Sequence, residues 1–384
     1  MIVRVSSLSG LAADQLRKAG DHFRGLSPDL LTIDYQVDDR GCLVRTAAVG
    51  QVVWDSQTIA GESACRSCAV QRDLVWYLGR EVASAADLLV VLPPGVSGTA
   101  TLDTTETVKG AGDGLVDYRI GSIMTVIEPA TLAETLRSTE TLSEKGFCVG
   151  YGDETCGRLL IEDLQLSDSY ILACGEADAD ESQIELGIEL ALHIAPQSRA
   201  TMLPPAMCSG SSRPLPEPSL VYGFDVGEVA WRTSPGAIVM PTDPGRRVRS
   251  HLVSIRRPLH PLRLHKALTT AVAGSSWARG RIWMASAPDR KIAFTGLGRC
   301  VDYTDAGPWL ADRPGAPGST ADAEGIVNWH PEYGDRGTWL AFTGDALEPD
   351  LIDECLSGCE LTDEEIGRDP RYRQLFAGPL RPAR

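Results

Sequence analysis

Cys65 and Cys68, in the segment SACRSCAVQRDLVWYL, are the residues whose type and spacing point most directly to chemistry. A C-x-x-C pair clasps one zinc ion from two sides, and zinc takes four thiolate, imidazole or carboxylate ligands. Glu62 lies close enough in sequence to add an oxygen ligand, and no histidine lies nearby. A fourth ligand has to come from elsewhere in the fold or from a second chain. The alternative is a pair of packed thiols at a helix start, where the helix terminus lowers thiol pKa and favours metal capture or oxidation.

The N-terminus has a second chemical layout from which the chemistry is missing. MIVRVSS reads as a buried strand, SLSG as a small-residue turn and LAADQLRKAG as a short helix. This is the order of a phosphate-binding strand, loop and helix. A working G-x-x-x-x-G-K-[ST] loop needs a lysine for the β- and γ-phosphates and a hydroxyl for magnesium. Here Gly10 is the turn's one glycine, and Leu11, Ala12 and Ala13 fill the lysine and hydroxyl positions. Ser7, Ser9 and Gly10 remain as weak nucleotide-binding candidates, helped by the amide end of the helix that follows. Efficient hydrolysis, with magnesium held in place, is not expected.

The elements that must position these residues follow an α/β pattern. IVRVSS, DLLTIDYQV, ADLLVVLPPG, SIMTVIEP and SYILACG are strand candidates separated by helical patterns, which favours a largely parallel sheet. SQIELGIELALHIAP has helical apolar spacing and stops at Pro196. We expect a first domain over 1–195, a Pro-, Ser- and Gly-rich linker over 196–245, a smaller α+β domain over 246–368 and a tail over 369–384. In that second domain HLVSIRRPLHP, GRIWMASAP, KIAFTGLG and GTWLAFTG read as strands. LRLHKALTTAVAG and EPDLIDECLSGCELTDEEI read as helices.

Composition narrows the class. The chain has 384 residues, 43% of them hydrophobic, enough for two cores of ordinary size. No apolar run has the length of a membrane span and the start lacks a signal-peptide pattern, so a soluble, cytoplasmic protein is expected. The net charge of -16 speaks against a general nucleic-acid binder. The charge is polarised: 151–190 has eleven acidic residues against Arg158 alone, and 246–291 has eleven basic residues against Asp289 alone. Nucleic acid would therefore have to meet the 246–291 segment, and protein partners of opposite charge could meet either run.

The second half resembles the C-terminal domain of the CobW-like metallochaperone GTPase family at RRPLHPLRLHKAL, WARGRIWMA, GDRGTWLAFTG and LTDEEI, in order over about 110 residues. The first half resembles the family's GTPase domain more weakly. SACRSCAVQRDLVWYL looks like its G-C-x-C-C metal motif, and DLLVVLPPGVSG like its Walker-B strand and E-x-x-G switch, which adds Gly95 to the nucleotide candidates. Ser67 stands where the middle thiol belongs, Leu92 where the switch glutamate belongs, with Pro93 and Pro94 next to it. The guanine-reading Asn-Lys-x-Asp is replaced by Ala173, Cys174, Gly175, Glu176, Ala177 and Asp178.

The resemblance implies a P-loop-NTPase-like first domain, zinc as the metal, and a basic motif of Arg256, Arg257, His260 and Arg263 that braces the domain or meets an acidic partner. Within the family the chain looks most like an actinobacterial branch that recruits a ribosome-hibernation factor under zinc limitation. That implies a pseudo-GTPase adaptor with the hibernation factor or ribosomal proteins as partners. The alternative is a zinc metallochaperone with weak GTP binding and hydrolysis.

Overall fold

Alternating apolar side chains in the central strands of the first half require a layer on each face of their sheet. Leu88 and Val90 enter one core with Val3, Val5 and Ile33, while Leu89 and Val91 enter another with Leu8, Met124 and Val126. The structure is a computed structural model that describes residues 2–59, 65–79, 86–111, 116–147, 154–175, 180–204, 215–220, 223–298, 300–312 and 329–367. Two compact units, Met1–Val229 and Ala230–Arg384, make up the chain.

The first unit is built on the strands β1 (Ile2–Gly10), β2 (Leu31–Val37), β3 (Leu43–Val49), β4 (Val52–Ile59), β5 (Asp87–Val91), β6 (Asp117–Ile127), β7 (Ser169–Leu172) and β8 (Arg199–Met202). Their order is β4-β3-β2-β5-β1-β6-β7-β8, parallel from β2 to β8, with β3 and β4 added as an antiparallel hairpin. The helices are α1 (Ala13–Leu26), α2 (Arg66–Leu78), α3 (Thr99–Ala111), α4 (Pro129–Arg137), α5 (Cys156–Leu166), α6 (Glu181–Ile194) and α7 (Val226–Arg232). Helices α2 and α3 cover one face through Val70, Leu74, Ala100 and Val108, and α1 covers the other through Leu16, Ala19 and Phe23.

The second unit is a five-stranded antiparallel sheet. Its strands are β9 (Arg249–Ile255), β10 (Trp277–Trp283), β11 (Arg290–Leu297), β12 (Cys300–Pro308) and β13 (Thr338–Gly344), in the order β12-β11-β10-β13-β9. Helices α8 (Pro261–Ala271) and α9 (Pro349–Ser357) pack Leu264, Leu268, Ile352 and Leu356 on one face of that sheet, against Ile282, Phe294, Leu340 and Phe342. The expected architecture, a largely parallel α/β domain followed by a smaller α+β domain, is the one observed.

Some local expectations are corrected. SLSG is not a turn, because β1 stays extended through Gly10 and pairs with Val126 of β6. The first helix begins at Ala13 rather than near Leu11. The acidic C-terminal segment forms two helices, α9 and the short α10 (Asp363–Gly367), separated at Gly358. Strand β8 and helix α7 both fall in the stretch read as linker. Among the described residues, no helix is long and apolar enough to cross a membrane.

Candidate functional site

The carboxyl ends of β1 and β5 are where an open parallel sheet binds its ligand, and here both ends are bonded to each other. The Leu92 amide donates to the Leu8 carbonyl at 2.9 Å, and the Gly95 amide to the Gly10 carbonyl at 3.1 Å. Only Leu11 and Ala12 separate β1 from α1, too few to wrap a phosphate. Leu11 packs instead into an apolar cluster with Leu142, Phe147, Cys156 and Leu159.

The two candidate glycines have packing reasons. A Cβ at Gly10 would meet the Val126 carbonyl oxygen at 2.6 Å. Gly95 has φ +78°, and a Cβ there would lie 2.4 Å from that of Phe147.

Ser7 and Ser9 are fully buried on β1; neither hydroxyl completes a hydrogen bond among the described residues, and Ser9 lies near a carboxyl group of the chain itself. Asp163, on α5, is buried and accepts from Ser97 Oγ at 2.6 Å and from the Gly98 amide at 3.1 Å. Ser97 Oγ in turn accepts the Thr99 amide at 3.1 Å, at the start of α3. Burial pushes the Asp163 carboxyl up to about 6, although the Ser9 and Ser97 hydroxyls and the Gly98 amide all favour its charged form. Hydroxyls and a helix-terminal amide are the donors a phosphate would use. Here a carboxylate takes them, and its charge would repel a phosphate. Sequence reading missed Asp163 because it sits in an acidic run beside the exposed Glu162, where nothing marks it as the buried one.

The thiol pair is open by contrast. Cys65 and Cys68 are both exposed. Cys65 is the N-cap of α2, and its sulfur accepts the Cys68 amide at 3.2 Å. A hydrogen bond to the Cys65 sulfur holds the Cys68 thiol above its ordinary range, so a metal has to displace protons to bind the pair. Arg66 ties this helix start to the Gly146 carbonyl at 3.2 Å. Glu62 lies outside the described residues, as do Glu176 and Asp178. Cys174, at the end of β7, is disulfide-bonded. Among the described residues, no group of three or more His, Cys, Asp or Glu side chains could hold a metal ion. Two thiols make half of a zinc site, with the remaining positions open to other donors.

In the second unit, three of the four basic-motif residues hold the end of their own unit. Arg257 bonds the Leu361 carbonyl at 3.1 Å and the Asp363 carboxylate. Arg263 bonds the Glu360 carbonyl at 2.7 Å and the Glu365 carboxylate at 2.8 Å. His260 caps α8, its Nδ1 accepting the Leu262 amide at 3.2 Å, while its own amide donates to the Cys359 carbonyl at 2.8 Å. Burial and the neighbouring Arg263 hold the His260 pKa below the usual imidazole range. Arg256 stacks 4.7 Å from the Trp339 ring centroid.

Comparison with known proteins agrees with this architecture in the second unit. Residues 248–360 match the family described as the cobalamin synthesis protein cobW C-terminal domain. The chain is 31% identical over 131 residues to the zinc chaperone Rv0106 of Mycobacterium tuberculosis. That match covers 33% of this chain and 33% of the relative, so it spans about a third of the curated relatives' length. Two solved structures are similar over 94% of this chain and 100% of theirs, each with a TM-score of 0.37. They are the Zn(II)-bound YjiA GTPase from E. coli, at 11% identity, and a Zn(II)-bound triple mutant of YjiA, at 12%.

Proposed function

We propose that this chain, which carries a CobW C-terminal domain, handles zinc through the exposed Cys65 and Cys68 pair and acts as an adaptor rather than as a GTP-hydrolysing enzyme. The observation that carries the reading is the closed end of β1. The Gly95 amide is spent on the Gly10 carbonyl, Leu11 fills an apolar cluster, and Asp163 occupies hydroxyl and amide donors with a negative charge. Phosphoryl transfer depends on positioned cations and magnesium around the γ-phosphate. This site has a carboxylate there and no lysine on the connection from β1 to α1.

Zinc is the cargo in this reading. The name of the mycobacterial relative supports it, as does the chemistry of two adjacent thiols. Capture releases a proton from each of the two thiols, and the remaining zinc positions are left for ligands supplied by a recipient. In the finer form of the proposal, the partner is a ribosome-hibernation factor that the chain helps to place on ribosomes under zinc limitation. The family resemblance of the sequence supports that form.

Calorimetric titration of the metal-free protein with GTP and magnesium, with and without one equivalent of zinc, tests the reading. The expected result is zinc binding with no GTP binding in either condition. GTP binding that depends on zinc would replace the adaptor with a nucleotide-driven metallochaperone. Affinity capture under zinc limitation tests the partner, and a capture free of ribosomal proteins and hibernation factors would remove that finer form.

A further inference from the structure

We propose that the face of the C-terminal antiparallel sheet opposite α8 and α9 binds a small oxyanion, a carboxylate or a phosphate, on the guanidinium of Arg279 and the indole N–H of Trp277. Side chains alternate along β10. Ala278 and Ile282 enter the core under α8 and α9, which sends Trp277, Arg279, Arg281 and Trp283 to the opposite face. Arg279 is buried there, with its guanidinium 3.6 Å from the Trp277 ring centroid. One nitrogen, Nη2, donates to the Val239 carbonyl. The other two, Nε and Nη1, are buried without a partner among the described residues, and so is Nε1 of Trp277.

Three buried N–H donors with no acceptor are costly, and the cost grows when one group is a cation. Arg45 in the first unit shows how this chain treats a buried guanidinium elsewhere. It is held by Asp73 at 2.7 Å, Asp55 at 2.7 Å and Gln57 at 3.0 Å, which leaves its Nε alone without a partner among the described residues. Arg279 has no such carboxylate among the described residues, and burial alone lowers its pKa to about 9.

Other basic side chains of this unit also lie on aromatic rings. Arg281 and Arg256 stack on Trp339 at 4.4 and 4.7 Å, and Lys291 lies 5.6 Å from the Trp309 ring centroid. Cation–π contacts offset only part of an unpaired burial. What remains unmet is negative charge and acceptor oxygen, which carboxylate and phosphate supply to guanidinium better than any neutral group. Among the described residues, Gly236 lies against the Gly280 backbone on this face, and residues 236–240 are half-buried rather than enclosed.

This site is independent of the thiol pair and of the zinc reading. The test is calorimetric titration of the metal-free full-length protein with inorganic phosphate and, separately, with acetate, at millimolar concentration and constant ionic strength. The expected result is saturable one-site binding of at least one of them. Preference for phosphate identifies a phosphorylated ligand, and preference for acetate a carboxylate. Arg279→Gln should weaken binding by about tenfold or more, as expected for loss of a charge-assisted hydrogen bond. Trp277→Phe keeps an aromatic ring under the guanidinium and removes the N–H, so it should weaken binding by about threefold even if the arginine variant fails to fold. Failure of both anions to bind saturably would overturn the proposal. So would wild-type affinity in Trp277→Phe or in a folded Arg279→Gln.

Discussion

Replacing Asp163 with asparagine should make the first unit more stable at neutral pH, although the substitution touches a fully buried group. The carboxyl has a pKa of about 6 in the fold against 3.8 for the free side chain, chiefly because burial disfavours its charge. The folded chain therefore holds this proton more tightly than the unfolded one. Stability from the group is complete below about pH 4 and is lost as pH rises through 6. A gap of about 2 in pKa corresponds to about 3 kcal/mol. The carbonyl of an asparagine at this position can still accept from Ser97 and Gly98, as the carboxylate does, so most of that amount should be recovered.

The assay is urea unfolding of the full chain at pH 4.5 and 7.5, with hydrogen exchange read in peptides from β1 and α5. Asp163→Asn should exceed wild type by about 2 to 3 kcal/mol at pH 7.5 and by about a third of that at pH 4.5. Asp163→Ala provides the contrast. It leaves the Ser97 hydroxyl and the Gly98 amide without their acceptor, at a cost of about 1 to 3 kcal/mol that depends little on pH. An asparagine variant less stable than wild type at pH 7.5, or one with the wild-type pH slope, would refute the electrostatic reasoning. It would also remove the buried carboxylate charge from the case against a phosphate at the end of β1.

The remaining predictions concern the thiol pair and the α8 cap. Cys65→Ser and Cys68→Ser should each lower zinc affinity by about tenfold or more in competition with a chromophoric chelator, and wild-type affinity should fall as pH falls because protons compete for the sulfurs. His260→Ala should cost the second unit about 1 kcal/mol at pH 8, since the ring accepts the Leu262 amide as an N-cap. Because the folded pKa of His260 is lowered, its stabilisation is present above about pH 6.5 and is lost as pH falls through the folded value. The gap between variant and wild type should therefore close in acid, as followed by thermal unfolding.

Much of this architecture was legible in the sequence because its central strands are apolar on both faces. ADLLVVLPPG could be little else than a buried parallel strand. The β3–β4 hairpin was not legible. Strand β4 is exposed along most of its length, so VVWDSQTI shows no inward apolar stripe. SLSG misled for another reason. Small residues usually mark turns, but Gly10 is small because β6 runs close beside it, and Ser7 and Ser9 are small because they face buried positions in a crowded sheet. A residue type that permits a loop also permits close strand packing, and the sequence does not say which.

Long-range pairing set a similar limit in the second unit. RRPLHPLRL and LTDEE were both recognisable as family motifs, about 100 residues apart, yet they are two halves of one clamp. Arg257 and Arg263 reach Asp363 and Glu365, and the Leu361 amide returns to the Pro258 carbonyl at 3.1 Å. Two of the four motif residues, Arg257 and Arg263, are therefore paired within the unit, by acidic residues at the far end of the motif pair. Arg279 is the informative exception. It lies in the equally recognisable WARGRIW motif, on a buried face, and no acidic residue among those described meets it. A basic motif residue with no counter-charge among the described residues is a better guide to a ligand than a basic motif alone.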